Sequence, residues 1–96
     1  MIELSELRGS KRAALVQLGF RHGVTNIRVF GSIARGEQGE GSDVDFLVDL
    51  APGRSIFDLA GFAADAEDLL GCRVDVVTPG GLRYLRERTL AEAVGL

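Results

Sequence analysis

Three aspartates and a glycine–serine pair are the residues of this sequence whose types and spacing point to chemistry. Asp43 and Asp45 are separated by a single residue, Asp75 lies in a later apolar stretch, and Gly31-Ser32 precedes all three. Carboxylate oxygens are the protein ligands that Mg²⁺ and Mn²⁺ prefer. A glycine that opens a turn lets backbone N–H groups approach a phosphate closely. The combination predicts metal-assisted chemistry on a phosphate-containing substrate.

The segment from Val44 to Leu50 is predicted to be the strand next to the first two aspartates. Apolar and acidic residues alternate along it, which is the period of a strand with two different faces. Asp43 and Asp45 lie two residues apart and therefore project from the same face. Taken alone, Asp43 after Ser42 also fits an Asx turn. Aspartate is disfavoured inside a strand, so Asp45 is the stronger indication of a functional carboxylate.

A later strand, predicted over Arg73 to Thr78, carries the third aspartate. Asp75 interrupts the valines on either side of it, and it shares its face of the strand with Arg73 and Val77. Valine is common in strands and aspartate is rare there. Two aspartates inside predicted strands, with a glycine-rich loop leading to them, favour a functional site over solvated surface residues.

Helices and loops must position these strands. The remaining signals predict a helical region over residues 4–22, which breaks at Gly9-Ser10 with Ser10 as a cap, and then a strand over Asn26–Phe30. A loop over Ser32–Ser42 follows and starts with one helical turn. Two further helices are predicted, one from Ser55 to about Leu70 and a last one over Leu82–Val94. A helical crossover makes the second and third strands parallel, and a loop favours an antiparallel first pair. The predicted fold is α/β (α+β), a small mixed three-stranded sheet in the order α-β-β-α-β-α covered by helices, in a single domain over residues 1–96.

This topology predicts that the candidate residues converge. The end of the first strand, at Gly31-Ser32, lies beside the start of the second, near Asp43 and Asp45, and a parallel third strand brings Asp75 alongside. Three converging carboxylates repel one another unless a cation compensates their charge. Two divalent ions bridged by aspartates can clamp the attacking and leaving oxygens of an in-line phosphoryl displacement. Arg35 can add a positive charge for the phosphate chain.

Composition excludes several other classes of protein. In 96 residues, 46% are hydrophobic and 26% charged, which is typical of a globular chain rather than a disordered one. The net charge of −3 argues against a dedicated nucleic-acid binder. The single cysteine, Cys72, excludes an internal disulfide and suits a reducing compartment. With no apolar run long enough for a membrane span or signal peptide, we expect a soluble, cytoplasmic protein that binds neither nucleic acid nor a membrane.

The motifs resemble those of a known family. Gly31-Ser32-Ile33-Ala34-Arg35-Gly36-Glu37, followed by Ser42-Asp43-Val44-Asp45 and by Asp75 in a later strand, resembles the signature of the minimal nucleotidyltransferases in the DNA polymerase β-like superfamily. The resemblance extends over nearly the whole chain. It is strongest for the small antitoxins that are encoded beside a HEPN-domain toxin. Those antitoxins are understood to transfer AMP from ATP to a tyrosine of the toxin and so to silence its RNase activity.

The resemblance implies a role for each motif residue. Asp43 and Asp45 would bind two Mg²⁺ ions, with Mn²⁺ as a substitute. Asp75 would complete the metal shell beside the acceptor hydroxyl and help it lose its proton. Gly31 and Ser32 would hold the triphosphate, with Arg35 as a further nucleotide-binding candidate. The implied partners are ATP and a HEPN-type toxin, in a homo- or hetero-oligomer, since the chain has no second domain to hold the acceptor.

Two other functions remain open on the sequence alone. One is nucleotidyl transfer to a small molecule such as an aminoglycoside, and the other is a non-catalytic antitoxin that neutralises its partner by covering it. Individual residues also have alternatives. Arg35 can be a solvated loop cation, Glu37 is interpreted as an exposed loop residue, and Tyr84 as helix surface or a partner contact.

Overall fold

A computed structural model describes residues 2–39, 41, 43–81 and 86–96. Within these residues the chain forms short helices and strands in close succession. The helices are α1 (Leu4–Arg8), α2 (Arg12–His22), α3 (Gly31–Ala34), α4 (Ile56–Leu70) and α5 (Arg86–Glu92), and the strands are β1 (Val24–Phe30), β2 (Val44–Leu50), β3 (Val74–Val77) and β4 (Val94–Gly95). A 3₁₀ turn covers Pro79–Gly81. None of the described helices has the length and apolar character that a membrane crossing requires.

The strands form one mixed sheet in the order β3-β2-β1-β4. β1 is antiparallel to β2 and to β4, and β2 is parallel to β3. The predicted mixed sheet is therefore confirmed, with one strand more than the three predicted. The last helix ends at Glu92, and Val94 belongs to β4 instead. A two-residue strand carries too little alternation to be recognised in a sequence, and the predicted start of that helix, Leu82, lies outside the described residues.

One face of the sheet packs against α2 and α4 and forms the core. Val44, Phe46 and Val48 of β2 are fully buried, and so is Phe62 of α4. The rings of Phe46 and Phe62 lie 6.1 Å apart between centroids and are tilted by 58°, an arrangement that aromatic pairs favour. Because side chains alternate along a strand, this core leaves Asp45 on the opposite face.

The ends of α4 lie where the sequence predicts them. The Ser55 hydroxyl accepts a hydrogen bond from Phe57 N at 3.2 Å, and the Asp58 carboxylate accepts one from Ser55 N at 2.8 Å. Together they form a capping box. Gly71 ends the helix with φ at +71°, a conformation that glycine adopts without strain. Ile56, which the periodicity places inward, is instead 73% exposed, because it lies in the first turn of the helix.

The start of α2 differs from the prediction. Lys11, not Ser10, is the residue before the helix, and its side chain forms no capping hydrogen bond. Lys11 N donates to the Glu6 carbonyl at 2.9 Å, so the chain turns tightly between α1 and α2 and Ser10 stays within the turn. At the other end, His22 Nε2 lies 2.7 Å from Asp65 Oδ2 and joins α2 to α4.

Gly19 allows α2 to approach the start of β1. A Cβ atom at this position would lie 2.6 Å from the Val24 carbonyl oxygen, which is well inside van der Waals contact. Gly19→Ala should therefore lower the free energy of unfolding by about 1–3 kcal/mol, although alanine is the better helix former. A lower melting temperature in a thermal denaturation scan would show this. Gly80→Ala is the control, since its Cβ would meet nothing within 4 Å. An unchanged or raised Gly19→Ala melting temperature would contradict the packing.

Candidate active site

The registers of β1, β2 and β3 bring the predicted site residues together. In the parallel pair, Asp45 of β2 lies opposite Asp75 of β3, and residues paired across strands share a face of the sheet. In the antiparallel pair, Phe30 of β1 lies opposite Asp45, so Gly31, the next residue, lies at the same level. Asp45 is therefore flanked by the turn after β1 on one side and by Asp75 on the other.

Asp43 lies directly before β2 and belongs to the same group of carboxylates, because its negative charge acts on Asp45. The pKa of Asp45 is raised from 3.8 to about 6, first by burial and then by the negative charges of Asp75 and Asp43. The positive charge of Arg35 acts in the opposite direction. Asp45 and Asp43 are partly buried and Asp75 is exposed. The face of the sheet away from the core thus concentrates negative charge around a partly desolvated carboxylate.

Gly31 has two independent reasons to be glycine. Its φ is +76°, a left-handed conformation that strains other residues. A Cβ atom at this position would also fall on the carboxylate of Asp45. The absence of a side chain therefore lets the turn pack directly against the carboxylate of Asp45. Gly31 begins α3, and the Ser32 carbonyl accepts a hydrogen bond from Glu37 N at 2.8 Å, which folds the loop back over this turn.

Arg35 is held by two glutamates. Its Nε donates to Glu37 Oε2 at 3.0 Å, and its NH1 donates to Glu92 Oε2 of α5 at 3.2 Å. The hydrogen bond that Arg35 donates to Glu37 is the main reason that the pKa of Arg35 is raised. Arg35 is thus neither a freely solvated cation nor far from Asp45, whose pKa its charge lowers. Glu37, interpreted from the sequence as a loop residue, is exposed but pairs with this arginine.

Another acidic residue on the same face of β2 lies outside the group. Asp49 Oδ1 accepts a hydrogen bond from Arg28 NH2 at 3.0 Å, and Asp49 Oδ2 accepts one from Asn26 Nδ2 at 3.0 Å. These contacts neutralise Asp49 and tie β1 to β2 beside an irregularity in their register. Asp49 is therefore structural, in contrast to Asp45 and Asp75, which have no basic partner within salt-bridge distance among the described residues.

The three aspartates suit Mg²⁺ or Mn²⁺ in the kind of oxygen they offer. Within residues 2–39, 41, 43–81 and 86–96, no three acidic, histidine or cysteine side chains already surround a point where an ion would sit. Mg²⁺ commonly takes only one or two protein carboxylates and completes its shell with water and phosphate oxygens. A cation would also offset burial and the neighbouring negative charges, which together raise the pKa of Asp45. Asp43, Asp45 and Asp75 therefore offer suitable oxygens, and water or a nucleotide would have to supply the other ligands of an ion.

Comparison with known proteins identifies the family. Residues 12–95 match the family model of the nucleotidyltransferase domain. The chain belongs to that family. It is 41% identical over 94 residues to the protein adenylyltransferase MntA of Thermococcus cleftensis, an alignment that covers 98% of this chain and 95% of the relative. These matches show a nucleotidyltransferase enzyme.

Two solved structures share the fold. One, described as "Structure of putative minimal nucleotidyltransferase", superposes with a TM-score of 0.85 at 47% identity and covers 99% of this chain and 97% of its own. The other, described as "Crystal structure of the toxin-antitoxin with AMP-PNP", superposes with a TM-score of 0.72 at 20% identity and covers 86% and 69%. At that identity the second comparison supports the fold alone. Two residues singled out in the sequence, Ser42 and Tyr84, lie outside the described residues.

Gly31→Ala should displace the carboxylate of Asp45 and weaken nucleotide binding. The matched control is Gly36→Ala, because Gly36 also has a positive φ, +72°, but its Cβ would meet nothing within 4 Å. Both variants should lose about 1–2 kcal/mol of stability from the left-handed backbone. Only Gly31→Ala should also lose the rise in melting temperature that millimolar Mg-ATP produces through ligand linkage. An equal loss in Gly36→Ala would mean that strain, and not the contact with Asp45, is responsible.

Asp45→Asn should stabilise the metal-free protein at neutral pH. The pKa of Asp45 is raised from 3.8 to about 6 on folding, so the folded state binds the proton more tightly and the wild type loses stability as the pH rises through that interval. The full shift would correspond to about 3 kcal/mol, which solvent screening of this partly exposed group reduces to about 1–2 kcal/mol.

Thermal denaturation in EDTA between pH 3.5 and pH 8 measures this effect. The melting temperature of Asp45→Asn should exceed that of the wild type at pH 7 and above, and the difference should disappear below about pH 4. Asp49→Asn, which removes an ion-paired carboxylate from the same face, should be no more stable than the wild type. A constant difference at every pH would show that Asp45 is not destabilised by its charge.

Proposed function

We propose that the protein transfers AMP from Mg-ATP to a tyrosine hydroxyl of a HEPN-type toxin and thereby acts as its antitoxin. The observation that carries the proposal is the pairing of Asp45 with Asp75 across β2 and β3, with Gly31 directly beside Asp45 on its other side. On the side of Gly31, the turn after β1 would hold the triphosphate. The other side offers an exposed carboxylate to an acceptor hydroxyl.

The reaction is an in-line displacement at the α-phosphorus of ATP. The acceptor oxygen forms a bond to the α-phosphorus, the bond to the bridging oxygen of the β-phosphate breaks, and pyrophosphate leaves. Asp75 takes the hydroxyl proton, while Gly31 and Ser32 hold the triphosphate. When bound to the three aspartates, Mg²⁺ supplies the positive charge that stabilises the transferring phosphoryl group. Most of the acceleration then comes from positioning and electrostatics.

The relatives support both the donor and the acceptor in this proposal. The MntA relative is named for protein adenylyl transfer, which specifies AMP as the transferred group and a protein as the acceptor. The toxin–antitoxin structure contains AMP-PNP, an analogue of ATP. The resemblance of the Gly31-Ser32 and Asp43–Asp45 motifs to the HEPN-associated antitoxins supplies the tyrosine and the HEPN partner.

Arg35 has a definite place in this scheme. Its guanidinium is close enough to influence Asp45, and its present partners are two carboxylates, Glu37 and Glu92. A triphosphate presents oxygens of the same charge and similar geometry. Arg35 would therefore bind the phosphate chain by exchanging one of these glutamates for it, and the other would keep the guanidinium oriented.

Co-expression with the product of the neighbouring gene, which this proposal expects to be a HEPN-type toxin, tests the proposal. Intact-mass analysis of the toxin should show the addition of AMP units with the wild type. Asp45→Asn should reduce the modified fraction formed per unit time by about 10²–10³-fold, since it removes a central carboxylate without disturbing the core. Asp49→Asn is the matched control and should leave modification unchanged.

Two results would contradict the proposal in different ways. If Asp45→Asn still neutralises the toxin without modifying it, the biological function is binding rather than catalysis. If the toxin is never modified but an aminoglycoside gains AMP in the presence of Mg-ATP, the acceptor is a small molecule.

A further inference from the structure

The strand that carries Asp75 lies at the edge of the sheet. Among the described residues β3 pairs with β2 alone. The Arg73 carbonyl accepts a hydrogen bond from Val44 N at 2.9 Å. Because peptide groups alternate in direction along a strand, the N–H and C=O groups of Val74 and Val76 point away from β2. They are available to another extended chain.

An apolar groove of about 500 Å³ runs along this edge at the C-terminal end of β3. Val76 and Val77 form one wall, and Ile56, Leu59 and Ala60 of α4 form the other. Ile56 is a large apolar side chain at the mouth of this groove, and it is 73% exposed. A groove lined in this way suits an apolar side chain of a binding partner.

A positive charge lies at the other end of the strand. Arg73 is exposed, and its guanidinium forms no hydrogen bond or ion pair with the residues that the structure describes. Arg73, Asp75 and Val77 lie two residues apart and share a face, so they are spaced by about 6.6 Å along the strand. The edge thus presents a cation, the acceptor-side carboxylate and an apolar surface at equal intervals.

The geometry of the site makes this edge the entrance for the acceptor. Gly31-Ser32 lies on the β1 side of Asp45, and Asp75 lies on the opposite side. In an in-line displacement the acceptor approaches from the side opposite the leaving pyrophosphate. A hydroxyl that reaches Asp75 from that direction must cross the free edge of β3.

We propose that the acceptor protein docks as an extended segment along the free edge of β3. Its hydroxyl residue lies opposite Asp75, and an acidic residue two positions away pairs with Arg73. The residue next to the hydroxyl residue on the other side lies opposite Val76 and faces α4, so an apolar side chain there enters the groove. This inference rests on the proposed function, because it specifies the acceptor of that reaction. It defines a substrate class, which is a hydroxyl residue with an acidic side chain two positions away on one side and an adjacent apolar side chain on the other.

A library of tyrosine peptides tests the proposal with the full chain. The peptides carry a central tyrosine with randomised residues on both sides, and they are incubated with Mg-ATP and analysed for added AMP by mass spectrometry. Modified peptides should be enriched about tenfold for Asp or Glu two positions from the tyrosine and for Val, Ile or Leu directly next to the tyrosine on the opposite side. The orientation of the enriched pattern reports whether the segment runs parallel or antiparallel to β3.

Three variants separate docking from a general loss of function. Arg73→Glu should reverse the charge preference, so that Lys or Arg replaces the acidic residue. Ile56→Ser should raise KM for the preferred peptide by about tenfold with little effect on kcat. Phe20→Ser is the matched control, since Phe20 is 80% exposed on α2 but does not border the groove, and it should leave KM unchanged. Mg-ATP should raise the melting temperature of all three as it does for the wild type.

Hydrogen exchange supplies a readout of the strand pairing itself. The amides of Val74 and Val76 should become protected when the preferred peptide binds, because these are the groups that point away from β2. Protection of the same amides by added unlabelled protein, without peptide, would instead mean that a second copy of the chain occupies the edge and would overturn the proposal.

The remaining outcomes distinguish the inference from the function on which it rests. Modified peptides without this acidic and apolar pattern, or an unchanged preference in Arg73→Glu, would overturn the docking proposal and leave adenylyl transfer intact. If the wild type modifies no tyrosine peptide, both the tyrosine acceptor and the docking proposal are overturned.

Discussion

The repulsion between Asp45 and Asp75 is the interaction on which the rest of this structure depends. Burial raises the cost of ionising Asp45, and the β2–β3 register adds the negative charge of Asp75 beside it. This unfavourable arrangement persists because the opposite face of the same strands is tightly packed, with Val44, Phe46 and Val74 in the core. The fold therefore supports an arrangement of charges that protonation or a bound cation would relieve. Such sites commonly sacrifice stability for activity.

Much of the fold can be predicted from local sequence signals, and the errors in that prediction also have identifiable causes. The bounds of β2 and α4 are correct because alternation, a Ser55 cap and a terminal Gly71 mark them unambiguously. β1 begins at Val24, two residues earlier than predicted, since the irregular register near Asn26 hides its alternation. β4 gains its strand character only from pairing with β1, which no local pattern can reveal.

The site shows the same division between local and distant information. The convergence of Gly31 and the aspartates follows from short spacings and from topology, and the structure brings these residues together. Their roles are part of the proposed function. The partners of Arg35 do not follow from such signals, because Glu92 lies at the far end of the chain and reaches the loop only through the position of α5. Asp49 resembles Asp45 in the sequence, and only its contacts with Arg28 and Asn26 show that it is structural.

The shortness of β3 has a consequence for selectivity. β3 has four residues, and the N–H and C=O groups of only two of them point away from β2. Backbone groups offer the same hydrogen bonds to every polypeptide. So few backbone hydrogen bonds give little affinity by themselves, and other proteins are therefore not bound by this edge without regard to their sequence. Discrimination among possible acceptor proteins must then come from the side chains that border β3. Substitutions of these side chains would change which acceptor the enzyme modifies while the reaction stays the same.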